Sequence, residues 1–569
     1  MIGLIAVTAS GRAAAGQLTA AWPDARLYLG PASRALPQAF AECDQVVCFL
    51  AVGATVRLIA PMLSAKATDP GVVCIDEARA FAVPVAGAHA GGANALAERV
   101  AAVLGSTPVI TTASDAAGAA ALDDLGADLG FTPEPGSDLA EVGTAVLAGE
   151  RVTLTMDQTW PVPPLPSNVT STAAPEPGVP AILITDGTVR VRSPRVVYRP
   201  PSLVVGAGAS AGVPAAEIGG LIDEVLAGAG LAAASVRELA TIDIKAAEPG
   251  IASAAAARGW AVRSFPAADL AAIRVPNPSE AVRSAVGTPS VAEAAALAAA
   301  GAGGELAAGK RKTAHATAAV ARRAPRGRLA LVGIGPGARD LMTPRAAAEL
   351  RRSSVVVGLD QYAEAIRDLL RPGTRVLASG IGAEQERAAT AAAQARAGHA
   401  VALIGSGDAG IYAMAGPALE YADGSFDVTG VPGVTAALAA AAVLGAPLGH
   451  DHACISLSDL HTPWDVIERR ITAAAQGDFA VCFYNPRSKA RSGHLEKALA
   501  LLARHRPPQT PVGLVADASR PGQHAQISTL ADFDPAHADM HTLVIVGAAQ
   551  TRVTAGKMIT PRGYRWAGT

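Results

Sequence analysis

A run of apolar residues, 329–332, leads directly into a loop with glycine at positions 333, 335 and 337. A second apolar run, 355–359, follows and ends at Asp360. A strand, a glycine turn, a helix and another strand are typical of the start of a parallel α/β sheet. This stretch therefore predicts an α/β fold in which backbone can approach a flat ligand closely.

The loop also fits the dinucleotide pattern G-x-G-x-x-A, but two details argue against that interpretation. Pro336 removes a backbone N–H where a pyrophosphate would need one. Thr343-Pro344 predicts an N-cap and a first helical residue well downstream of the loop, so the helix N-terminus cannot point at a phosphate there. A nicotinamide oxidoreductase is accordingly a distant alternative.

The length of 569 residues predicts about four domains. Seven prolines fall between positions 161 and 180, which is typical of a linker, and a basic stretch precedes the glycine loop. We predict the following divisions: 1–160, a Pro-rich linker and connecting segment over 161–200, 201–309, a basic linker over 310–327, and 328–569 with lobes of about 328–440 and 441–569.

Composition excludes several classes of protein. A net charge of −2 disfavours nucleic-acid binding through a basic field. No uninterrupted apolar run reaches the length of a membrane span, and residues 1–7 are typical of a first strand, so a cytoplasmic protein is expected. Five cysteines without a C-x-x-C pair predict buried free thiols. His450 and His452 point apart, so no metal site is expected.

Five ordered motifs resemble the tetrapyrrole methylase family, over about residues 328–564. They are the glycine loop, IGSGDAGIY at 404–412, VPGVTAA at 431–437, FYNPRS at 483–488 and TPRGY at 560–564. Within that family, ISLSDL at 455–460, TPW at 462–464 and QTR at 550–552 resemble the precorrin-3B C17-methyltransferases, which contract the corrin ring. The resemblance implies a two-lobed methylase, a tetrapyrrole substrate and S-adenosylmethionine as cofactor. It also implies a homodimer.

The resemblance assigns roles to individual residues. The expected cofactor-binding residues are Pro336, Ser406, Gly407, Asp408, Ile411, Thr435, Ala436, Asn485 and Ala518. An aspartate that only bonds its own turn is the alternative for Asp408. Because a tetrapyrrole carries many carboxylates, arginines and a lysine near the motif loops are candidates to bind them: Arg345, Arg487, Lys489, Arg491, Arg552 and Arg562. His452 or His461 could act as the base in ring contraction.

The first half of the chain resembles cobalt-precorrin-5A hydrolase, which opens a lactone and releases acetaldehyde. The motifs are AHAGGANALA at 88–97, PVITTASD at 108–115, LATIDIK at 239–245 and PSVAEAA at 289–295. They imply two α/β hydrolase-type, lactone-opening domains. His89 beside Gly91-Gly92, with Asn94, is the candidate catalytic group, although the glycines could be only a tight turn. Asp243, Lys245 and Glu248 form a second polar cluster.

One departure affects this half. Where that family has a turn with cysteine and basic residues, this chain has GAGASAG at 206–212. The sequence therefore predicts a bifunctional enzyme of corrin synthesis, with a non-catalytic tetrapyrrole-binding module as the alternative for the first half. Other enzymes of the same pathway are possible partners, and a methylase acting at another tetrapyrrole carbon is a further alternative.

Overall fold

The computed structural model describes residues 1–64, 68–88, 91–113, 117–488 and 492–563. The chain forms two compact units. The N-terminal unit is Met1–Pro325 with Arg371–Thr374, and the C-terminal unit is Arg326–Leu370 with Arg375–Thr569. The architecture is mixed α/β and multidomain. No helix of the described residues is long and apolar enough to cross a membrane.

The N-terminal unit begins with a sheet of order β2-β1-β3-β4-β5-β6. Its strands are β1 Ile2–Ala6, β2 Arg26–Tyr28, β3 Gln45–Phe49, β4 Gly71–Ile75, β5 Phe81–Ala86 and β6 Thr107–Pro108. The helices Ala9–Ala21, Ala32–Glu42, Val52–Ile59 and Ala93–Leu104 alternate with them. Strands β1 to β4 are parallel, and β1, β3 and β4 are largely buried, as expected where helices cover both faces of a sheet. The predicted first strand is confirmed.

A second sheet, of order β7-β11-β10-β8-β9, follows. Its strands are β7 Thr132–Pro133, β8 Val152–Met156, β9 Val169–Ser171, β10 Ala181–Ile184 and β11 Arg195–Arg199, and its helix is Leu139–Leu147. The prediction of a linker over 161–200 is wrong, because β10 and β11 are buried strands of this sheet. The prolines occupy the connections between strands, where a missing N–H disrupts no ladder. Trp160 and Leu165 pack against the core.

A third sheet, of order β14-β13-β12-β16-β15, completes this unit. Its strands are β12 Leu203–Ala209, β13 Val236–Ile242, β14 Ala261–Phe265, β15 Glu305–Lys312 and β16 Ala316–Arg322. Its helices are Ala215–Gly228, Pro249–Ala256, Ala267–Ala271, Glu280–Val286 and Ala292–Ala300. The predicted basic linker over 310–327 is wrong for most of its length, because it contains the end of β15 and all of β16. Its first three charges, Lys310, Arg311 and Lys312, lie on the edge strand β15, which is exposed on one side.

A buried ion pair joins the second and third sheets. The Asp186 carboxylate follows β10 and is 3% exposed. It accepts hydrogen bonds from Nε and Nη2 of Arg322 on β16, each at 2.8 Å, and one from the Ser202 hydroxyl at 2.6 Å. Because every carboxylate oxygen has a donor, the buried charge is compensated.

The C-terminal unit begins with a parallel sheet of order β19-β18-β20-β17-β21. Its strands are β17 Arg328–Gly333, β18 Val355–Leu359, β19 Arg375–Ser379, β20 Ala400–Gly405 and β21 Asp427–Val431. Its helices are Pro344–Arg352, Asp360–Ala365, Glu384–Arg396 and Ala415–Leu419. The delayed helix start is confirmed: the Thr343 hydroxyl accepts a hydrogen bond from Ala346 N at 3.2 Å, with Pro344 in the first turn.

The second lobe of this unit contains two sheets, of order β23-β24-β27-β25-β26 and β22-β29-β28. The strands are β22 Gly445–Ala446, β23 His452–Ser456, β24 Ala480–Tyr484, β25 Pro511–Ala516, β26 His524–Thr529, β27 Thr542–Val546, β28 Arg552–Thr554 and β29 Lys557–Ile559. The helices are Ala436–Leu444, Trp464–Gln476 and His494–Ala503. The first of these helices packs on β25 and β27, so the second lobe begins near Thr435, a few residues before the predicted division at 440.

Four of the cysteines, Cys43, Cys48, Cys74 and Cys482, are buried and free, as predicted. Cys454 is free but exposed, contrary to the prediction. It lies on β23, which is the edge strand of its sheet, directly opposite Cys482 on β24. Although it shares a face with the buried Cys482, it is exposed because β23 has no neighbouring strand on its other side in the described sheet.

Candidate functional site

Three loops of the C-terminal unit meet at one edge of its parallel sheet. They follow β17, β20 and β21, which are adjacent and parallel, so their carboxyl ends lie side by side. Gly335 and Gly407 exchange two backbone hydrogen bonds, from Gly335 N to Gly407 O at 3.1 Å and from Gly407 N to Gly335 O at 2.8 Å. Ligands of open α/β sheets bind at such an edge.

Glycine is required for this contact. A Cβ on Gly433 would lie 2.1 Å from the carbonyl oxygen of Gly407, and one on Gly333 would lie 2.7 Å from the same oxygen. Both distances are far below van der Waals contact with a backbone atom that cannot rotate away. The three loops therefore pack backbone against backbone, and a side chain at position 333 or 433 would force them apart.

Asp408 ties two of these loops together. Its Oδ1 accepts a hydrogen bond from Gly410 N at 2.8 Å, within its own turn. Its Oδ2 accepts one from Gly433 N at 3.0 Å, in the loop after β21. Asp408 thus does more than cap its own turn, and its half-buried carboxylate keeps lone pairs for a ligand.

The opposite wall of the site comes from the second lobe. The hydroxyls of Thr435 and Tyr484 lie 2.7 Å apart, and the Tyr484 oxygen accepts a hydrogen bond from Ala437 N at 3.1 Å. Burial raises the pKa of Tyr484 to about 12, so the phenol stays neutral. Tyr412 packs on Tyr484, with ring centroids 5.0 Å apart. Asn485 adopts a left-handed φ of 51° and donates a hydrogen bond to the Ser456 hydroxyl at 3.1 Å.

A hairpin loop after β25 closes the site. Arg520 donates from Nε to the Pro336 carbonyl at 2.8 Å and from Nη2 to the Ser406 hydroxyl at 3.2 Å. Ala338 N donates to the Ser519 hydroxyl at 3.3 Å. A cavity of about 340 Å³ lies beside these contacts. It is lined by Ile334, Gly335, Gly337, Arg339, Met342, Gln361, Tyr362, Ala365, Ile366, Ser406, Asp517, Arg520 and Pro521.

Most of the residues predicted to bind the cofactor lie in these walls. Pro336, Ser406, Gly407 and Asp408 belong to the contacting loops. Four more lie on the second-lobe side: Thr435 and Asn485 in the contacts above, and Ala436 and Ala518 against the same apolar cluster as Tyr484. The ninth predicted residue, Ile411, lies in the loop after β20 and is 42% exposed.

The predicted carboxylate-binding residues are scattered. Arg345, Arg552 and Arg562 are exposed and Arg487 is half-buried, and none of these four lines the cavity. Lys489 and Arg491 lie outside the described residues. The cavity presents Arg339 and Arg520 instead. Sequence reasoning missed Arg520 although it stands two residues after Ala518, because the resemblance assigns that loop to the cofactor alone.

The two predicted catalytic histidines of this unit are both exposed, His452 on β23 and His461 in a loop. In the part of the chain that the structure describes, neither lines the cavity. His494, which the sequence analysis did not single out, has a ring that is fixed by contacts on both nitrogens and on one face. Its Nδ1 lies 3.1 Å from Leu457 O, its Nε2 lies 3.6 Å from an Asp459 oxygen, and its ring stacks on Trp464 at 4.5 Å.

In the N-terminal unit, Asn94 lies in the first turn of the helix Ala93–Leu104 and donates from Nδ2 to the Thr112 hydroxyl at 3.0 Å. His89 lies outside the described residues. The turn beside Asn94 is tightly held: Gln45 Nε2 donates to Gly91 O at 3.2 Å and to Gly92 O at 3.3 Å, and Gly92 has a φ of 71°. These contacts account for the two glycines as a turn.

The second polar cluster of this unit holds the altered turn after β12. Glu248 accepts a hydrogen bond from Gly212 N at 2.7 Å and pairs with Lys245 at 3.0 Å. The bond from Gly212, and then the one from Lys245, lower the pKa of Glu248. Asp243 begins the short helical turn Asp243–Lys245. The cluster therefore stabilises the position of the turn.

Comparison with known families agrees with this geometry. Residues 328–534 match Tetrapyrrole (Corrin/Porphyrin) Methylases. Three further matches cover the first half: Cobalamin synthesis G N-terminal at 34–115, Cobalamin biosynthesis central region at 120–200 and Cobalamin synthesis G C-terminus at 203–321.

Two curated relatives and one solved structure resemble the C-terminal unit. The probable cobalt-factor III C(17)-methyltransferase of Salmonella typhimurium is 49% identical over 239 residues, 42% of this chain and 99% of that protein. The precorrin-3B C(17)-methyltransferase of Sinorhizobium sp is 39% identical over 252 residues, 42% and 98% respectively. The uroporphyrin-III C-methyl transferase of Thermus thermophilus, solved with S-adenyl homocysteine, is 25% identical, covering 39% and 97%, with a TM-score of 0.31. The chain spans about half the length of some other curated relatives.

These features define a methyltransferase of cobalamin biosynthesis, of a family that uses S-adenosylmethionine, with cobalamin synthesis G domains in the first half of the chain. The chain belongs to the tetrapyrrole (corrin/porphyrin) methylase family.

Proposed function

We propose that the C-terminal unit methylates C17 of precorrin-3B, or of its cobalt-bound analogue, and drives contraction of the macrocycle. The observation that carries this proposal is the contact of three glycine loops at one sheet edge, in a region that is 49% identical to a probable C17-methyltransferase over nearly that protein's whole length. Two relatives differ in whether their names refer to a cobalt-bound or a metal-free substrate, so the test uses both.

The glycine-lined loops suit a bound S-adenosylmethionine, which supplies an electrophilic methyl group on its sulfonium. The residues proposed to hold it are Pro336, Ser406, Gly407, Asp408, Ile411, Thr435, Ala436, Asn485 and Ala518. Methyl transfer needs the accepting carbon in line with the methyl group, at about 3–3.5 Å, in a site that excludes water. The role of the chain is therefore to fix two ligands rather than to supply a strong acid or base. Glycine contacts and the neutral Tyr484 match that role.

Ring contraction adds one proton transfer, from the C20 hydroxyl as C20 leaves the ring. His452 and His461 are the proposed bases. Each is exposed, and an imidazole ring nitrogen can accept a proton.

The test is anaerobic incubation of the whole chain with methyl-labelled S-adenosylmethionine and either precorrin-3B or cobalt-precorrin-3, followed by mass spectrometry. We expect one labelled methyl group on one substrate, and fragmentation of that product should place it at C17. Binding of the cofactor without transfer to either substrate would reject the assignment.

We further propose that the N-terminal unit contains two lactone-opening domains that act on a corrin δ-lactone and release acetaldehyde, with Asn94 and His89 at the site. The sequence match to cobalamin synthesis G over 34–321 supports this. The segment 206–212, which forms the end of β12 and the turn after it, lacks the cysteine and basic residues of the related hydrolases. This favours a second candidate: a module that binds the tetrapyrrole without hydrolysing it. Acetaldehyde release from cobalt-precorrin-5A, lost in Asn94→Ala, would support the first. Tetrapyrrole binding without acetaldehyde would support the second.

A homodimer and association with other enzymes of corrin synthesis are proposed for the whole chain. The family resemblance supports the dimer, and the joining of two pathway activities in one chain supports the association. Light scattering of the chain alone, and co-elution with pathway enzymes on size exclusion, would test each separately.

A further inference from the structure

Arg520 is a cation whose charge has no partner in the described chain. Its guanidinium bonds only neutral acceptors, the Pro336 carbonyl and the Ser406 hydroxyl. Among the described residues no carboxylate lies within ion-pairing distance of it, although Asp517 lines the same cavity. Arg339, the other arginine of the cavity, is paired with Asp368 at 2.7 Å. Since a guanidinium has five N–H donors, three remain for a ligand.

The surrounding backbone leaves room for the Arg520 side chain to reach across the glycine loop 333–337. A Cβ on Gly337 would lie 2.4 Å from Cγ of Arg520, so glycine at 337 makes room for the arginine stem. Asp517 and Ser519, which flank it in the hairpin, have left-handed φ values of 47° and 60°. Residues other than glycine hold such angles only when the surroundings impose them, and they concentrate at functional sites.

Hydrogen bonds fix this unusual turn. Arg520 N donates to Asp517 O at 2.9 Å, and Gln523 N donates to Arg520 O at 3.0 Å. The Gln523 side chain accepts from Ser519 N at 2.7 Å. The backbone at Arg520 is thus rigid while its guanidinium, held by two neutral acceptors, can exchange partners. A carboxylate carries the opposite charge and can accept two parallel N–H bonds from a guanidinium, so a ligand carboxylate would compete for Arg520 with the uncharged Pro336 O and Ser406 hydroxyl.

We propose that Arg520 binds a peripheral carboxylate of the tetrapyrrole from the wall of the 340 Å³ cavity, and by doing so releases Ser406 and Pro336 to the cofactor. This inference rests on the proposed tetrapyrrole substrate. The two residues that Arg520 holds are among those proposed to contact S-adenosylmethionine. Binding of the tetrapyrrole and of the cofactor is therefore coupled through one side chain, and the coupling is reciprocal.

The test compares the full chain with Arg520→Gln, Arg520→Lys and the control Arg504→Gln, which removes an exposed arginine of the same lobe. Uroporphyrin, a tetrapyrrole with eight carboxylates, is titrated by fluorescence with and without S-adenosylhomocysteine. We expect Arg520→Gln to weaken uroporphyrin binding about 10- to 100-fold, the loss of one charge-assisted bond pair. Arg520→Lys should recover part of it, and Arg504→Gln should match the unaltered chain.

The coupling provides a second measurement. In the unaltered chain uroporphyrin should tighten S-adenosylhomocysteine binding. In Arg520→Gln this effect should vanish, and the affinity for S-adenosylhomocysteine alone should equal or exceed that of the unaltered chain, because Arg520 no longer engages Ser406 and Pro336. Equal uroporphyrin affinity in the unaltered chain and Arg520→Gln would overturn the proposal. Weaker binding of S-adenosylhomocysteine alone would also overturn it, since Arg520 would then serve only to hold the loops. If Arg520-dependent binding is found but neither corrin precursor is methylated, this inference stands and the proposed reaction falls.

Discussion

Replacing Gly433 by alanine should disable the cofactor site without unfolding the chain. The added methyl group would lie 2.1 Å from Gly407 O and 2.8 Å from the backbone of Gly333. To reach an ordinary contact, the loops after β20 and β21 must separate by at least about 1 Å. That movement also stretches the 3.0 Å hydrogen bond from Gly433 N to Asp408.

A displacement of this size in a positioning loop can lower activity about 10²-fold. We expect a similar loss in affinity for S-adenosylhomocysteine, measured by titration calorimetry, while circular dichroism stays unchanged. The matched control is Gly430→Ala, on β21 itself, where an added Cβ meets nothing within 4 Å. The control should bind within about twofold of the unaltered chain, because an alanine that fits costs nothing in the folded state. A folded Gly433→Ala variant with unchanged affinity would refute the assignment of the cofactor to these loops.

Two further predictions concern stability and thiol chemistry. Asp186→Asn should destabilise the N-terminal unit by about 3 kcal/mol in urea unfolding, because it removes the buried partner of Arg322 and leaves it only the exposed Glu305 carboxylate, 3.7 Å away. Asp223→Asn, which removes a carboxylate that is 62% exposed, should cost less than about 1 kcal/mol, and equal losses in the two variants would contradict this reasoning. Cys454 should be the thiol that iodoacetamide labels first. A hydrogen bond from Cys482 lowers the pKa of Cys454 to about 7, so its labelling rate should rise through pH about 7. In Cys482→Ala the midpoint should move up towards the ordinary thiol pKa of about 8.5, and an unchanged midpoint would exclude that hydrogen bond as the cause.

The glycine loop and the delayed helix were predictable because their causes are local. Pro344 and the Thr343 cap act within one turn, and glycine spacing marks a close backbone approach before the partner is known. The structure adds the partner: Gly333 and Gly433 approach the carbonyl of Gly407, which is distant from both in sequence.

The linker predictions failed for a related reason. Proline-rich composition correctly indicates the connections on either side of β9, and basic composition correctly indicates the exposed edge strand β15. Neither reveals strands whose neighbours come from elsewhere in the chain. Strand β10 is buried because β8 and β11 flank it, and β16 because it lies between β12 and β15. Composition measures the residues of a segment, whereas burial depends on what the fold places beside it.

The sequence alone determined the family, the type of fold and the loops proposed to hold the cofactor, because ordered motifs and glycine requirements lie in consecutive residues. Only the tertiary structure decided which cation faces the cavity. Arg345, Arg552 and Arg562 lie near motifs in the sequence yet are exposed, while Arg520 reaches Pro336 and Ser406 across the fold. The groups that a long, flexible side chain can reach depend on the orientation of the hairpin that carries it. The packing of strands distant in sequence sets that orientation.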